Sequence, residues 1–278
     1  ANAYSSKAIS KIFKLKKRPK NNPLIVHYSS IKMLKRDCIL NKNFTNLYNK
    51  FCPGPLTFIL KLKKDSKISK FVTNKKKTLA VRFPSHPKAI GLLKILNYPL
   101  AAPSANISSR VSPVTKNHVK EEFGKKIKYI IEGGLSKIGL ESTIINLTGK
   151  PEILRIGSID INKLSKALKK KLLYRKKTYM KVPGQNRLHY SPGIPLRMNC
   201  KEASLDEAFI LVKKRNNSNK NFFYLSKNKN LKEAARNLYS VLRMIKKKGY
   251  KKIAVEKIEN KGIGLAINDR LQKASTKK

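Results

Sequence analysis

The order of the apolar runs constrains this chain most. Short strand-like stretches recur along its length, and helix-like stretches with apolar residues on one face lie between them. Ser5 or Ser6 caps a first helix whose Ala8, Ile9, Ile12 and Phe13 share a face, and Pro19 closes it. Strands are predicted at residues 24–27, 57–62, 78–82, 100–102, 129–132, 142–147 and 153–155. Helices are predicted at 44–51, 87–96 and 115–123, and from the cap Asp160 to the lysine run 169–171. Residues 175–195 break the pattern with Val182-Pro183-Gly184 and His189-Tyr190-Ser191-Pro192-Gly193, a linker signature. Beyond it, strands at 209–212, 222–225 and 253–256 accompany a long amphipathic helix at 231–248. That helix turns Ala234, Ala235, Leu238, Leu242 and Ile245 inward and stops at Gly249, and Gly262-Ile263-Gly264 opens a last helix. The expected class is α/β: a first domain over 1–174, a linker over 175–195, and a smaller parallel α/β domain over 196–278.

At 278 residues with 40% hydrophobic content the chain can bury a core, and about 150 residues per domain suggests two domains. No stretch approaches ~18 uninterrupted apolar residues, so no membrane span or membrane partner is expected. Three scattered cysteines, Cys38, Cys52 and Cys200, exclude a disulfide scaffold; with no signal peptide visible, a reducing cytoplasm is the expected compartment. The 64 basic against 15 acidic side chains leave a net charge of +49. That invites a polyanion partner such as tRNA. The excess is lysine, however, spread over every segment and accompanied by 24 asparagines, as an A/T-rich genome would encode. Both readings stay open.

No metal-ligand spacing, nucleophile elbow or Walker loop occurs, and Gly262-Ile263-Gly264 is too short to mark a nucleotide site. The candidates are polar residues at strand ends and turns. Lys16 and Arg18 end the first helix, where they could be solvated charges at its C-terminus or two cations for an oligophosphate. His27 ends a strand and is structural or a ligand contact. Arg82 ends another strand between apolar Val81 and Phe83, with few acids available, so a bound carboxylate or phosphate suits it. Ser104 and Asn106 lie in a loop that a plain turn would also explain, although its neighbours are small and apolar. Ser142 and Thr143 open a strand after Glu141.

Together these segments resemble the threonylcarbamoyl-AMP synthase family, the YrdC-like proteins. The matching stretches are KLKKRPKNNPLIVH (14–27), FCPGPLTFIL (51–60), LAVRFPSHP (79–87), PLAAPSANISSRVSPVT (99–115) and GLESTIINL (139–147). The family's Lys-x-Arg and Ser-x-Asn signature falls on Lys16, Arg18, Ser104 and Asn106, read as the catalytic set. NRLHYSPGIPL (186–196) and GIGLAINDRLQKA (262–274) are similar to the long, two-domain form, so the likeness covers nearly the whole chain. In the family a strand with a Pro-Thr-x-Thr-Val-Tyr-Gly-Leu type segment precedes Ala1 and supplies a threonine to the site. The chain is therefore read as N-terminally truncated, with its activity in this form an open question.

The resemblance implies an open twisted sheet of the YrdC-like type and a smaller Rossmann-like α/β domain. It implies synthesis of threonylcarbamoyl-AMP and pyrophosphate from L-threonine, bicarbonate or CO2, and ATP, with the product passed to the tRNA threonylcarbamoyl-transfer machinery. Lys16, Arg18, Asn22, Thr78, Ser104 and Ser112 would line the ATP site, with Arg155 and linker Tyr190 enclosing the nucleotide. His27, Arg82, Ala102 and Ser142 would hold threonine. Mg2+ would arrive with ATP rather than in a protein cage. Two rivals stand beside this reading: a non-catalytic RNA-binding protein using the same basic surface, and the YrdC-like part of hydrogenase maturation proteins. The latter carry zinc-finger and acylphosphatase-like segments that this sequence lacks.

Overall fold

The computed structural model describes residues 1–174, 182–184, 189–216 and 219–275, so most of the expected linker (175–181 and 185–188) lies outside the described residues. In chain order the elements are α1 (Ser6–Lys16), β1 (Ile25–His27), α2 (Ile31–Leu34), β2 (Cys38–Ile39), α3 (Lys42–Phe51), β3 (Leu56–Leu62), α4 (Lys70–Thr73), β4 (Thr78–Arg82), α5 (Pro87–Ile95) and β5 (Leu100–Ala101). Next come α6 (Lys116–Phe123), β6 (Thr143–Asn146), β7 (Glu152–Arg155), α7 (Ile161–Leu168), β8 (Leu196–Arg197), β9 (Glu207–Lys213), β10 (Phe222–Ser226), α8 (Leu231–Lys247), β11 (Lys252–Val255) and α9 (Ile263–Ser275). They form two compact units, Ala1–Ser104 with Glu141–Gln185, and Ala105–Leu140 with Asn186–Lys278. Residues 105–140, expected with the first domain, count with the second unit.

The first unit is built on a mixed sheet in the order β5-β1-β4-β3-β6-β7, with β2 paired to β3. Alternation along the strands divides its two faces. One face carries Val26, Phe58, Leu60, Leu79, Val81 and Ile145 into a core with Ile9 and Phe13 of α1, Phe44 and Leu47 of α3, and Leu164 of α7. Each such side chain fully removed from water contributes roughly 1.5–3 kcal/mol. The other face carries Ile25, Ile59, Ala80 and Ile144, against which Val182 packs.

Helix ends follow from local chemistry. The Ser5 hydroxyl accepts the Ala8 N–H at 3.2 Å, and Thr115 and Asp160 cap α6 and α7 in the same manner. Helix α1 stops where Lys17 turns left-handed at φ 49°. There Lys17 N–H donates to the Lys14 carbonyl and Arg18 N–H to that of Phe13, a Schellman closure that reverses the chain beside Lys16.

The second unit holds a four-stranded sheet, β10-β9-β11-β8, in which every pairing is parallel. Strand β9 is buried along six successive residues, as a strand covered on both faces requires. The five inward residues expected of α8 are all buried, and Gly249 follows its end at φ 83°. In the same unit Glu122 of α6 accepts the Ile107 N–H at 3.1 Å and the Arg243 guanidinium of α8 at 2.9 Å.

One expected strand is corrected. Residues 129–132 are not extended in any ladder; Tyr129 is 76% and Ile131 58% exposed, so the apolar alternation has neither a pairing partner nor a buried face. The short elements α2, β2, α4 and β8 carry no periodic signal and exist through their neighbours.

Candidate active site

Strand register sets a row of polar side chains across one end of the first sheet. His27 stands opposite Arg82, Arg82 opposite Thr57, Thr57 opposite Ile144, and Ile144 opposite Arg155. His27 and Arg82 are the last residues of two parallel strands, so both lie at carboxyl ends, where open α/β sheets place ligands. A register shift between β6 and β7 brings Arg155 opposite Ile144; such irregularities re-aim side chains.

Arg82 is anchored from one side only. Its Nε donates to the Gly54 carbonyl at 3.1 Å, and the Gly54 N–H donates back to the Phe83 carbonyl at 2.8 Å. Glycine is required at 54, because a Cβ there would lie 2.3 Å from the Phe51 carbonyl oxygen. The Nη groups of Arg82 reach no acceptor, and no carboxylate pairs with it, among the described residues. Burial and the Arg155 charge push Arg82 down to about 10, with Glu141 opposing; it remains a cation at neutral pH. A half-buried guanidinium with free Nη groups and no ion-pair partner has the chemistry to take an anion.

His27 is neutral. Burial first, then the Arg82 charge, push its pKa down from 6.5 to about 3, against hydrogen bonding to the Leu100 backbone. Its Nδ1 is shut off from solvent without a hydrogen-bond partner. Between pH 6.5 and about 3 the unfolded chain binds a proton at His27 that the folded chain does not. The stability from burying the neutral ring is therefore whole above pH 6.5 and is lost as pH falls towards 3. His27→Gln should flatten the acid limb of the unfolding free energy measured by urea titration. Identical slopes in the two proteins would show that His27 charges freely within the fold.

Ser142 and Arg155 form a second anchored group. Arg155 is 4% exposed; its Nε donates to the Ser142 carbonyl at 3.0 Å, one Nη to the Ser142 hydroxyl at 3.0 Å, and the other to the Pro183 carbonyl at 3.0 Å. Thr57, which sequence reasoning missed, sits 2.7 Å from the Ser142 hydroxyl. The signal was there: one fully buried hydroxyl inside the apolar run of β3.

The remaining first-unit candidates gather in pairs. Lys16, 4% exposed, donates from Nζ to the Ser104 carbonyl at 2.6 Å, joining the two halves of the signature across the chain. Arg18 donates to the Asn22 carbonyl at 3.0 Å, the Asn22 side-chain oxygen at 2.6 Å and the Pro23 carbonyl at 2.8 Å, so part of its donor set holds its own turn. Thr78 opens β4 on the face that carries Arg82. Ala102 is exposed, and its N–H reaches the Ile25 carbonyl at 3.1 Å, extending the ladder past β5.

Asn106, Ser112 and Tyr190 belong to the second unit. The Asn106 amide clasps its own loop, donating to the Ile107 and Arg110 carbonyls at 2.9 and 2.8 Å. Ser112 is buried. Tyr190 is buried at φ 61°, stacked on Tyr239 at 5.7 Å with the Arg270 guanidinium 5.1 Å from its ring centre. Among the described residues no group of three or more His, Cys, Asp or Glu could hold a metal ion, and no helix is long and apolar enough to cross a membrane.

The Sua5/YciO/YrdC family model, described as telomere recombination, matches residues 1–157. The model described as the threonylcarbamoyl-AMP synthase C-terminal domain matches 156–276. A threonylcarbamoyl-AMP synthase of Pyrococcus abyssi is 35% identical over 99% of this chain and 86% of its own. One from Bacillus subtilis is 32% identical over 99% and 85%. The crystal structure of P. abyssi Sua5 complexed with L-threonine superposes with a TM-score of 0.90 at 33% identity, covering 99% of this chain and 86% of that one. Escherichia coli YciO, at 24% identity and a TM-score of 0.52 over 59% of this chain and 80% of that one, shares the fold of the first domain. The chain belongs to the Sua5/YciO/YrdC family, in the long form that carries a threonylcarbamoyl-AMP synthase C-terminal domain behind the YrdC-like one.

Proposed function

We propose that this enzyme joins L-threonine, CO2 drawn from bicarbonate, and ATP into threonylcarbamoyl-AMP and pyrophosphate. The observation that carries the reading is Arg82, a half-buried guanidinium with its Nη groups unmatched, set beside neutral His27 and in line with Ser142 and Arg155. That set fits a small amino acid. The carboxylate takes the Nη groups of Arg82 in a bidentate pair. His27 lies beside the amine, and the Ser142 hydroxyl and the backbone at Ala102 complete the enclosure. RNA binding would call for none of these buried groups.

The chemistry needs no protein nucleophile. The neutral threonine amine forms a bond to the carbon of CO2 and releases a proton, giving a carbamate. A carbamate oxygen then forms a bond to the α-phosphorus of ATP; the bond from that phosphorus to the bridging oxygen breaks, and pyrophosphate leaves with the electron pair. Catalysis is positioning plus neutralisation of phosphate charge. Lys16 and Arg18 supply that neutralisation, Asn22, Thr78 and Ser104 add neutral hydrogen-bonding groups, and Arg155 lies beside the threonine group. The parts expected of Asn106, Ser112 and Tyr190 in nucleotide binding rest on the family resemblance. The donor set here is cationic and does not fit a protein-held Mg2+; the ion would come on the ATP phosphates. The product is a mixed anhydride suited to a tRNA threonylcarbamoyl-transfer machinery in the cytoplasm, a compartment that agrees with the free thiols of Cys38, Cys52 and Cys200.

Pyrophosphate release followed with ATP and bicarbonate should appear only when L-threonine is added. Release that ignores threonine, or no release at any threonine concentration, would remove this assignment.

A further inference from the structure

Thr57 is wholly buried between apolar Leu56 and Phe58, and burying a hydroxyl is unfavourable unless it is hydrogen-bonded. Valine would suit the strand better on packing alone. The only hydrogen-bond partner of the Thr57 hydroxyl among the described residues is the Ser142 hydroxyl at 2.7 Å. Ser142 also accepts from Arg155 at its hydroxyl and at its carbonyl, each at 3.0 Å.

The hydroxyl inventory is tight. A serine has one proton and two lone pairs. Arg155 occupies one lone pair, and Thr57 takes another valence whether it gives or receives the proton. One valence of Ser142 is left, and its direction is set by two fixed neighbours. Thr57 also stands opposite Arg82 in the β3–β4 register, so the same residue lies between the two groups that would grip the amino acid.

We propose that Thr57 is a positioning residue of the amino-acid pocket, one that acts through Ser142 to fix how that hydroxyl meets the substrate. The inference rests on the functional reading above and adds a residue to it. Thr57→Val keeps the side-chain shape and removes the hydroxyl. The expected result is a roughly ten-fold rise in the KM for threonine, with kcat and the KM for ATP within about two-fold of the parent. Thr57→Ser should restore the threonine KM. Thr57→Val combined with Ser142→Ala should be no worse than Ser142→Ala alone, because the two hydroxyls act as one unit.

An unchanged threonine KM in Thr57→Val would overturn the inference, as would parallel rises in both KM values, failure of serine to restore, or full additivity with Ser142→Ala. Those results would leave the functional reading standing, provided that the parent protein turns over with threonine. A parent protein without threonine-dependent turnover would take both down.

Discussion

Arg82→Ala is expected to weaken L-threonine binding by about 2–5 kcal/mol, roughly thirty-fold to several-thousand-fold, and to leave ATP affinity little changed. The size follows from where the guanidinium sits. Arg82 is half-buried, its pKa pushed down to about 10 by burial and by Arg155, and no carboxylate forms an ion pair with it among the described residues, Glu141 acting only at longer range. A substrate carboxylate would therefore be its counter-ion, and truncation would leave that carboxylate desolvated opposite nothing. The Gly54 carbonyl that holds Nε shows that the side chain is aimed before any ligand arrives, so little ordering is lost on binding. Calorimetry with threonine and with ATP on the parent and the variant measures both affinities. Equal losses for the two ligands would mean that Arg82 supports the pocket as a whole instead of reading the amino acid.

Gly157→Ala should be the most damaging conservative change in the first unit. A Cβ at 157 would lie 2.3 Å from the Thr143 nitrogen, 2.4 Å from the Ser142 carbonyl carbon and 2.5 Å from the Glu141 oxygen. These are backbone atoms that cannot rotate away, and they belong to the segment that carries Ser142. Overpacking of this kind costs about 3 kcal/mol, a fall in melting temperature on the order of 10 °C. Because the displaced segment holds Ser142 and receives Arg155, the threonine KM should rise as well. Gly149→Ala is the control, since nothing lies within 4 Å of a Cβ there. A melting temperature for Gly157→Ala equal to that of the control would show that the 141–143 backbone yields.

What was legible in the sequence was local. Ser5, Thr115 and Asp160 cap helices as expected, because a cap depends on an oxygen reaching an N–H two or three residues away. The inward face of α8 was legible for the same reason: one helix displays its own period. The strand expected at 129–132 failed because extended structure needs a partner, and no run of apolar residues announces whether one will come. Strands β2 and β8, of two residues each, are the converse case: they exist only because β3 and β11 lie alongside.

The candidate site shows the same division. Arg82 stood out in the sequence as a charge between apolar neighbours with few acids at hand; in the structure it is half-buried and has no ion-pair partner among the described residues. Thr57 escaped notice because a threonine in a β-rich run reads as strand propensity; only the pairing of β3 with β6 gives its hydroxyl a partner. By itself the amino-acid order determined which segments become helices and most strands, where the helices start and stop, and which side chains carry charge. The tertiary structure decided that His27, Thr57, Arg82 and Arg155 share one row. Residues far apart in the chain become neighbours only through strand register, and register is settled by burying one face of a sheet whose side chains alternate with period two.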